Sequence, residues 1–226
     1  MNLPVLRSAR GQFERLVARL PSEVRHEISE TVRRLAVAVR NPAGLVEAVP
    51  AELERLLAAT VPVLARNPLP VTDPLRARFL TAGAAGAAAA LQQLGELTLV
   101  ESLGVSTGVV TPAVMAGLVT AWVVEVWLAV SVRVAALERG GREVDEGVLG
   151  REIVAAAIGA DVSTQRRVAT ALVRRGATRM GRRWAFGLIP VVGVAYDGWD
   201  AQRTIARVAA LPVSDHPPAR RSADLT

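Results

Sequence analysis

The chain has no cysteine, no lysine, one tyrosine and two histidines among its 226 residues. Without cysteine there are no disulfides and no thiolate metal sites. The histidines, His26 and His216, lie far apart, and neither has a second histidine or a cysteine at helical spacing. That pattern argues against a zinc site, and no cofactor is expected. Aromatic residues make up only 4% of the chain, so the apolar bulk is alanine, valine and leucine. A sheet-rich core would bring more aromatic and β-branched residues together. Alanine, leucine, arginine and glutamate favour helices. An apolar leader is missing as well: residues 1–12 carry arginines and no hydrophobic stretch, so no secretory signal is expected.

What is present is apolar and basic. Hydrophobic residues reach 51%, above the ordinary range for a soluble domain once 18 glycines are added. The formal net charge is +6, and every basic residue is arginine. Arginine in place of lysine fits a GC-rich bacterial genome. A positive balance suits anionic lipid or an acidic partner. Scarce aromatics argue against single-stranded nucleic acid, which is bound by stacking.

Three regions follow from the pattern. Residues 1–74 read as a preface of amphipathic helices ending in a proline-rich linker. Leu16, Val17 and Leu20 cluster before Pro21, and Ser22 is placed to cap a helix running to about Arg40. Val24, Ile28, Val32, Leu35 and Val39 recur on it at steps of three and four. Asn41-Pro42 stops it, and another helix is expected from about Pro50 to Ala65, with Leu53, Leu56, Leu57 and Val61 as its apolar stripe. Asp73-Pro74 then forms an N-cap and first-turn pair.

Residues 75–212 form a hydrophobic helical domain. Gly83 to Ala90 holds only glycine and alanine, which lets helix backbones approach closely. Between Leu103 and Val124 there is no charge. Thr111-Pro112 marks a helix start and Gly140-Gly141 its stop, which gives a helix about 40 Å long at 1.5 Å per residue. Its apolar part could cross a bilayer, but Glu125 sits near the middle. An acid facing lipid there would cost about 2–3 kcal/mol or more, so it must face protein or water. A short apolar helix follows at Ile153 to Ile158. Residues 213–226 read as a disordered, proline-rich tail.

The strongest functional signal lies at 163–210. Arg166, Arg167, Arg174, Arg175, Arg179, Arg182 and Arg183 occur with no acid between Asp161 and Asp197. Arg175, Arg179 and Arg183 recur every four residues and share one helical face. An uncharged run follows from Trp184 to Tyr196, through Phe186, Ile189 and Pro190. It is too short to span as one helix, and Pro190 between glycines suggests a kinked hairpin. Tryptophan and tyrosine at its edges suit a membrane interface, and arginine suits an anionic leaflet. Arg174, Arg175, Arg179, Arg182, Arg183, Trp184, Phe186, Ile189, Pro190 and Tyr196 are therefore the candidate membrane or partner contacts. The competing reading is a solvated basic face beside a core helix. Asp197 and Asp200 invite a metal or acid–base reading, but Arg203 and Arg207 follow at helical spacing and make surface pairs the simpler account.

One catalytic pattern is present. Gly104-Val105-Ser106-Thr107-Gly108 matches the G-x-S-x-G elbow, and Asp215-His216 come later. The elbow needs a strand before the serine and a helix after it. No alternation of strands and helices surrounds Ser106, so close helix packing explains the glycines better.

Residues 79–211 resemble the EcsC-like family of bacterial proteins. The resemblance rests on the Gly83–Ala90 start and the apolar middle around Val105 to Val132. It rests also on Arg174-Arg175 and Arg182-Arg183 leading to Ile189-Pro190-Val191-Val192-Gly193, then a helix with Thr204, Arg207 and Ala209. It implies helices, membrane association and no catalytic residues. The layout is also similar to helical membrane-associated domains of some bacterial GTPases. Asp197 and Asp200 are more acidic than the family's pattern.

The expectation is an all-α helical bundle with glycine- and alanine-rich helices and a proline-kinked C-terminal hairpin. The protein is expected to be a non-enzymatic scaffold or accessory factor on the cytoplasmic side of the cytoplasmic membrane. Its expected partners are anionic lipid and another membrane protein or itself, and not nucleic acid. The alternatives are a soluble or self-associating adaptor, a membrane-perturbing effector, and a serine hydrolase.

Overall fold

The computed structural model describes residues 3–38, 42–71, 73–78, 80–81, 112–158, 202–213 and 216–218. These residues form an all-α fold with no strand among them. The helices are α1 (Leu3–Ala18), α2 (Ser22–Ala38), α3 (Pro42–Arg66), α4 (described over 74–78 and 80–81), α5 (Pro112–Arg139), α6 (Glu146–Ile158) and α7 (202–210).

α2 and α3 pack as a pair, and both lie against α5. α6 packs on α3 and α5, and α1 touches α5. The edge helices obey their periodicity. Val24, Ile28, Thr31 and Leu35 of α2 are buried, while Arg25, Ser29 and Arg33 stay exposed. Steps of three and four put the first set on one face. One α2 expectation, the Ser22 cap, is revised. The Arg25 N–H bonds to the Pro21 carbonyl at 3.0 Å, so Pro21 is the flanking residue and Ser22 already lies inside the first turn. The Ser22 hydroxyl turns to the Glu23 carboxylate instead, at 3.1 Å.

α3 begins at Pro42, eight residues before the expected start at Pro50. Proline suits a first helical turn, so Pro42, expected as a stop, serves as a start. Prolines 50 and 62 both lie within α3. Pro62 leaves the carbonyl four residues earlier without its usual donor. That residue, Ala58, is exposed, so water can reach it.

α5 runs from Pro112 and stops at the Gly140-Gly141 pair, as the sequence indicates. Gly140 N–H bonds the Ala136 carbonyl at 3.0 Å, Gly141 N–H that of Glu138 at 3.1 Å, and Arg142 N–H that of Leu137 at 2.9 Å. The last two bonds form a Schellman cap, and Gly141 takes the left-handed φ of +62° it requires. Every residue from Val123 to Ala135 is buried. Such a run covers all sides of a helix, so α5 is the axis around which the others pack.

The proline-rich segment divides the helices in sequence but joins one core in space. Leu69 and Val71 are buried in the same cluster as residues of α1, α2, α3, α5, α6 and α7. Asp73 caps α4 as expected, its carboxylate accepting the Leu75 N–H at 3.0 Å. Asp145 likewise caps α6, accepting the Gly147 and Val148 N–H groups at 2.9 Å each. That cap is why α6 starts seven residues before the expected apolar stretch.

Candidate functional site

Charge buried on α5 organises the described chemistry. Arg133 sits where a purely apolar residue would serve the core, and it is 0% exposed. Its Nε donates to Glu152 Oε2 of α6 at 2.8 Å, and its Nη2 to Oε1 at 2.5 Å. This bidentate fork holds the carboxylate in one orientation. The guanidinium also donates to the carbonyls of Leu211 at 2.9 Å and Pro212 at 2.7 Å. Burying a charge is tolerable only when it is paired and hydrogen-bonded, and Arg133 meets that condition.

His216 completes the cluster. Its Nε2 lies 3.1 Å from Glu152 Oε2, and its Nδ1 accepts the Asp145 N–H at 3.3 Å. A backbone N–H can only donate, so Nδ1 carries no proton and the imidazole proton lies on Nε2. His216 is 1% exposed and both its ring nitrogens are occupied. The Arg142 guanidinium donates to the His216 carbonyl at 3.1 Å, and the Glu143 N–H to that of Pro217 at 2.9 Å. Residues 216–218 are therefore fastened to the α5–α6 corner, where a disordered tail was expected. The acceptors are the carbonyls of His216 and Pro217, and a proline carbonyl accepts as well as any other.

Asp145 serves two ends of this corner, capping α6 with its side chain and His216 with its N–H. The Val148 N–H, then the Gly147 N–H, His216 and Arg151, hold its carboxyl below the usual carboxylate range. Arg207 of α7 donates to the Ala156 carbonyl at 3.1 Å, reaching one of the last acceptors of α6.

A second set of bonds fixes the proline-rich segment to α5. The Trp127 indole N–H donates to the Asn67 carbonyl at 2.8 Å. Ser131, one turn on, accepts the Leu69 N–H at 2.9 Å and donates to the Trp127 carbonyl at 2.7 Å. Glu125, on the same helix, is 9% exposed and engaged within the protein. At the surface, Arg34 of α2 meets Glu52 of α3 at 2.6 Å, and Arg55 shares that carboxylate.

The expected contact residues Arg174, Arg175, Arg179, Arg182, Arg183, Trp184, Phe186, Ile189, Pro190 and Tyr196 lie outside the described residues. So do Ser106, Asp197, Asp200, Asp215 and the Gly83–Ala90 stretch. Among the described residues, no three acidic or histidine side chains gather as a metal-binding group. The sequence reading passed over Arg133 and Glu152. Their signal is a lone charge in an apolar helix, which demands a buried partner. His216 gave no comparable signal.

Among the described residues, one helical stretch, Val119–Arg139, is long and apolar enough to cross a membrane, and 72% of its apolar window is buried within the protein. No family model, curated protein or solved structure matches this chain. The resemblance to the EcsC-like family therefore rests on its sequence motifs alone.

Proposed function

We propose that the protein is a non-enzymatic helical scaffold that attaches to the surface of an anionic membrane from the cytoplasmic side. The observation carrying the peripheral part of this reading is the surroundings of α5. Its charges at Glu125 and Arg133 are buried in protein, and its apolar surface is covered by α1, α2, α3 and α6. To span a bilayer, α5 would have to shed these helices and break the Arg133–Glu152 pair. Attachment falls instead to the arginines from Arg174 to Arg183 and to the Trp184–Tyr196 run, which carry charge and interfacial aromatics in the right order.

The test is co-sedimentation of purified protein with vesicles. Binding to phosphatidylserine-containing vesicles, absent on pure phosphatidylcholine and lost at high salt, is the expected result. Arg175→Glu with Arg179→Glu and Arg183→Glu should abolish it. The same covered α5 favours a second reading, a soluble helical adaptor. Failure to bind anionic vesicles, with a defined oligomer in detergent-free buffer, would favour that reading.

A further inference from the structure

We propose that the corner between α5 and α6 is a peptide-binding site, filled in cis by the chain's own residues 211–213 and 216–218. The ligand class it takes is an extended, proline-containing segment with one histidine. The direction of the hydrogen bonds carries the inference. The corner supplies donors: the guanidinium groups of Arg133 and Arg142 and the backbone N–H groups of Glu143 and Asp145. The segment supplies acceptors: the carbonyls of Leu211, Pro212, His216 and Pro217, and the Nδ1 of His216. Proline offers a carbonyl and no N–H. A sheet edge presents acceptors as well as donors, and Pro212, Pro217 and Pro218 would leave its acceptors unanswered. In the contacts described, this corner asks the segment's main chain for acceptors alone. Proline also has less freedom to lose on docking.

Main-chain bonds give grip without choice of sequence, and side-chain pockets give the choice. The pocket here surrounds His216, which is 1% exposed. Its Nε2 lies 3.1 Å from Glu152 Oε2, and its Nδ1 accepts the Asp145 N–H at 3.3 Å, so both ring nitrogens are recognised. Glu152 is held in position by Arg133, whose other bonds go to the Leu211 and Pro212 carbonyls. One guanidinium therefore fixes the pocket wall and grips the segment's backbone. Gly140 makes room for Val213: a Cβ there would stand 3.3 Å from Val213 Cγ2. Arg142 and Pro218 pair in the antiparallel sense, which is strand addition reduced to one bridge. A segment with alanine at the histidine position would keep the main-chain bonds and lose the pocket.

Titration of an unlabelled peptide into the isotope-labelled full chain tests the proposal. The probe is a synthetic peptide with the sequence of residues 211–218. His216→Ala weakens the cis segment, and a tethered segment competes at roughly millimolar effective concentration, so the peptide is taken to about 5 mM. It should move the Glu143 and Asp145 amide signals of the His216→Ala chain toward their wild-type positions, while the signals of α2 stay in place. The peptide that itself carries His216→Ala should move them less at every concentration. The peptide carrying Pro217→Ala should still act, because the carbonyl remains. Should the His216→Ala chain fold poorly, hydrogen exchange of a full chain carrying Pro217→Ala decides the matter. Its Glu143 amide should keep the wild-type protection within about fivefold, since the change leaves the acceptor and alters only chain freedom. Signals that do not move, an equal response to the peptide lacking the histidine, or a larger loss of Glu143 protection in the Pro217→Ala chain would each overturn the proposal.

Discussion

α2 and α5 are helices of the same protein that obey different rules. α2 has a wet side and a dry side, and its most exposed ion pair runs along its own surface. Arg33 meets Glu30 at 2.6 Å across one turn, in water. α5 has no wet side over thirteen consecutive residues, and its charge is answered from another helix: Arg133 finds Glu152 nineteen positions away. An exposed pair can be lost to solvent with little consequence, because water replaces the partner. A buried pair cannot, because nothing replaces it.

The comparison breaks hardest at Arg133. Arg133→Met leaves the buried Glu152 carboxylate without its guanidinium, and should cost about 3–5 kcal/mol in urea unfolding. The double change Arg133→Met with Glu152→Leu should recover much of that loss, because no lone charge remains. A double variant no more stable than the single one would mean that the pair's bonds to 211–212 outweigh its charge. Leu128→Ala should come next, at about 4 kcal/mol, since a helix covered on every side cannot collapse into the cavity. Ile28→Ala, on the edge helix α2, should cost about 2 kcal/mol, because neighbours there can relax inward. Equal costs would erase the distinction between hub and edge. Asp145→Ala removes the α6 cap and should lower the melting temperature by a few degrees, whereas Asp145→Asn should retain most of it. Arg33→Ala should leave the melting temperature unchanged.

The carboxyls of Glu23 and Glu30 in α2 and of Asp145 before α6 lie below their ordinary range. Backbone hydrogen bonds are the main cause for Glu23 and Asp145, and the Arg33 hydrogen bond for Glu30. A group whose folded value is depressed contributes stability above its unfolded value, and that stability fades as pH falls through the folded value. These three should therefore weaken the fold only below about pH 4. Stability measured from pH 6 to 2 should show the loss confined to that acidic range.

The sequence made the edge helices legible because periodicity and caps are local. Val24, Ile28 and Leu35, the Asp73 cap, and the Gly140-Gly141 stop all follow from residues within a few positions of one another. The start of α3 differs because a proline can signal either the stop of one helix or the first turn of another, and Pro42 serves as the latter. α5 showed its length and its acid at Glu125, but a run buried by lipid and a run buried by protein have the same composition. What decides between them is the partner of Arg133, and that pairing is not local. His216 was hidden for the same reason. Its proline neighbours resemble a tail until the carbonyls of His216 and Pro217 are seen accepting from Arg142 and Glu143, more than seventy positions earlier.

The central claim is that α5 is enclosed by protein and that attachment to the membrane is peripheral. Fractionation of cells expressing the protein tests it, with high-salt and then carbonate washes of the membranes. Release by salt, with the protein then folded in detergent-free buffer, is the predicted result. Retention through both washes would place α5 in the bilayer and contradict the account.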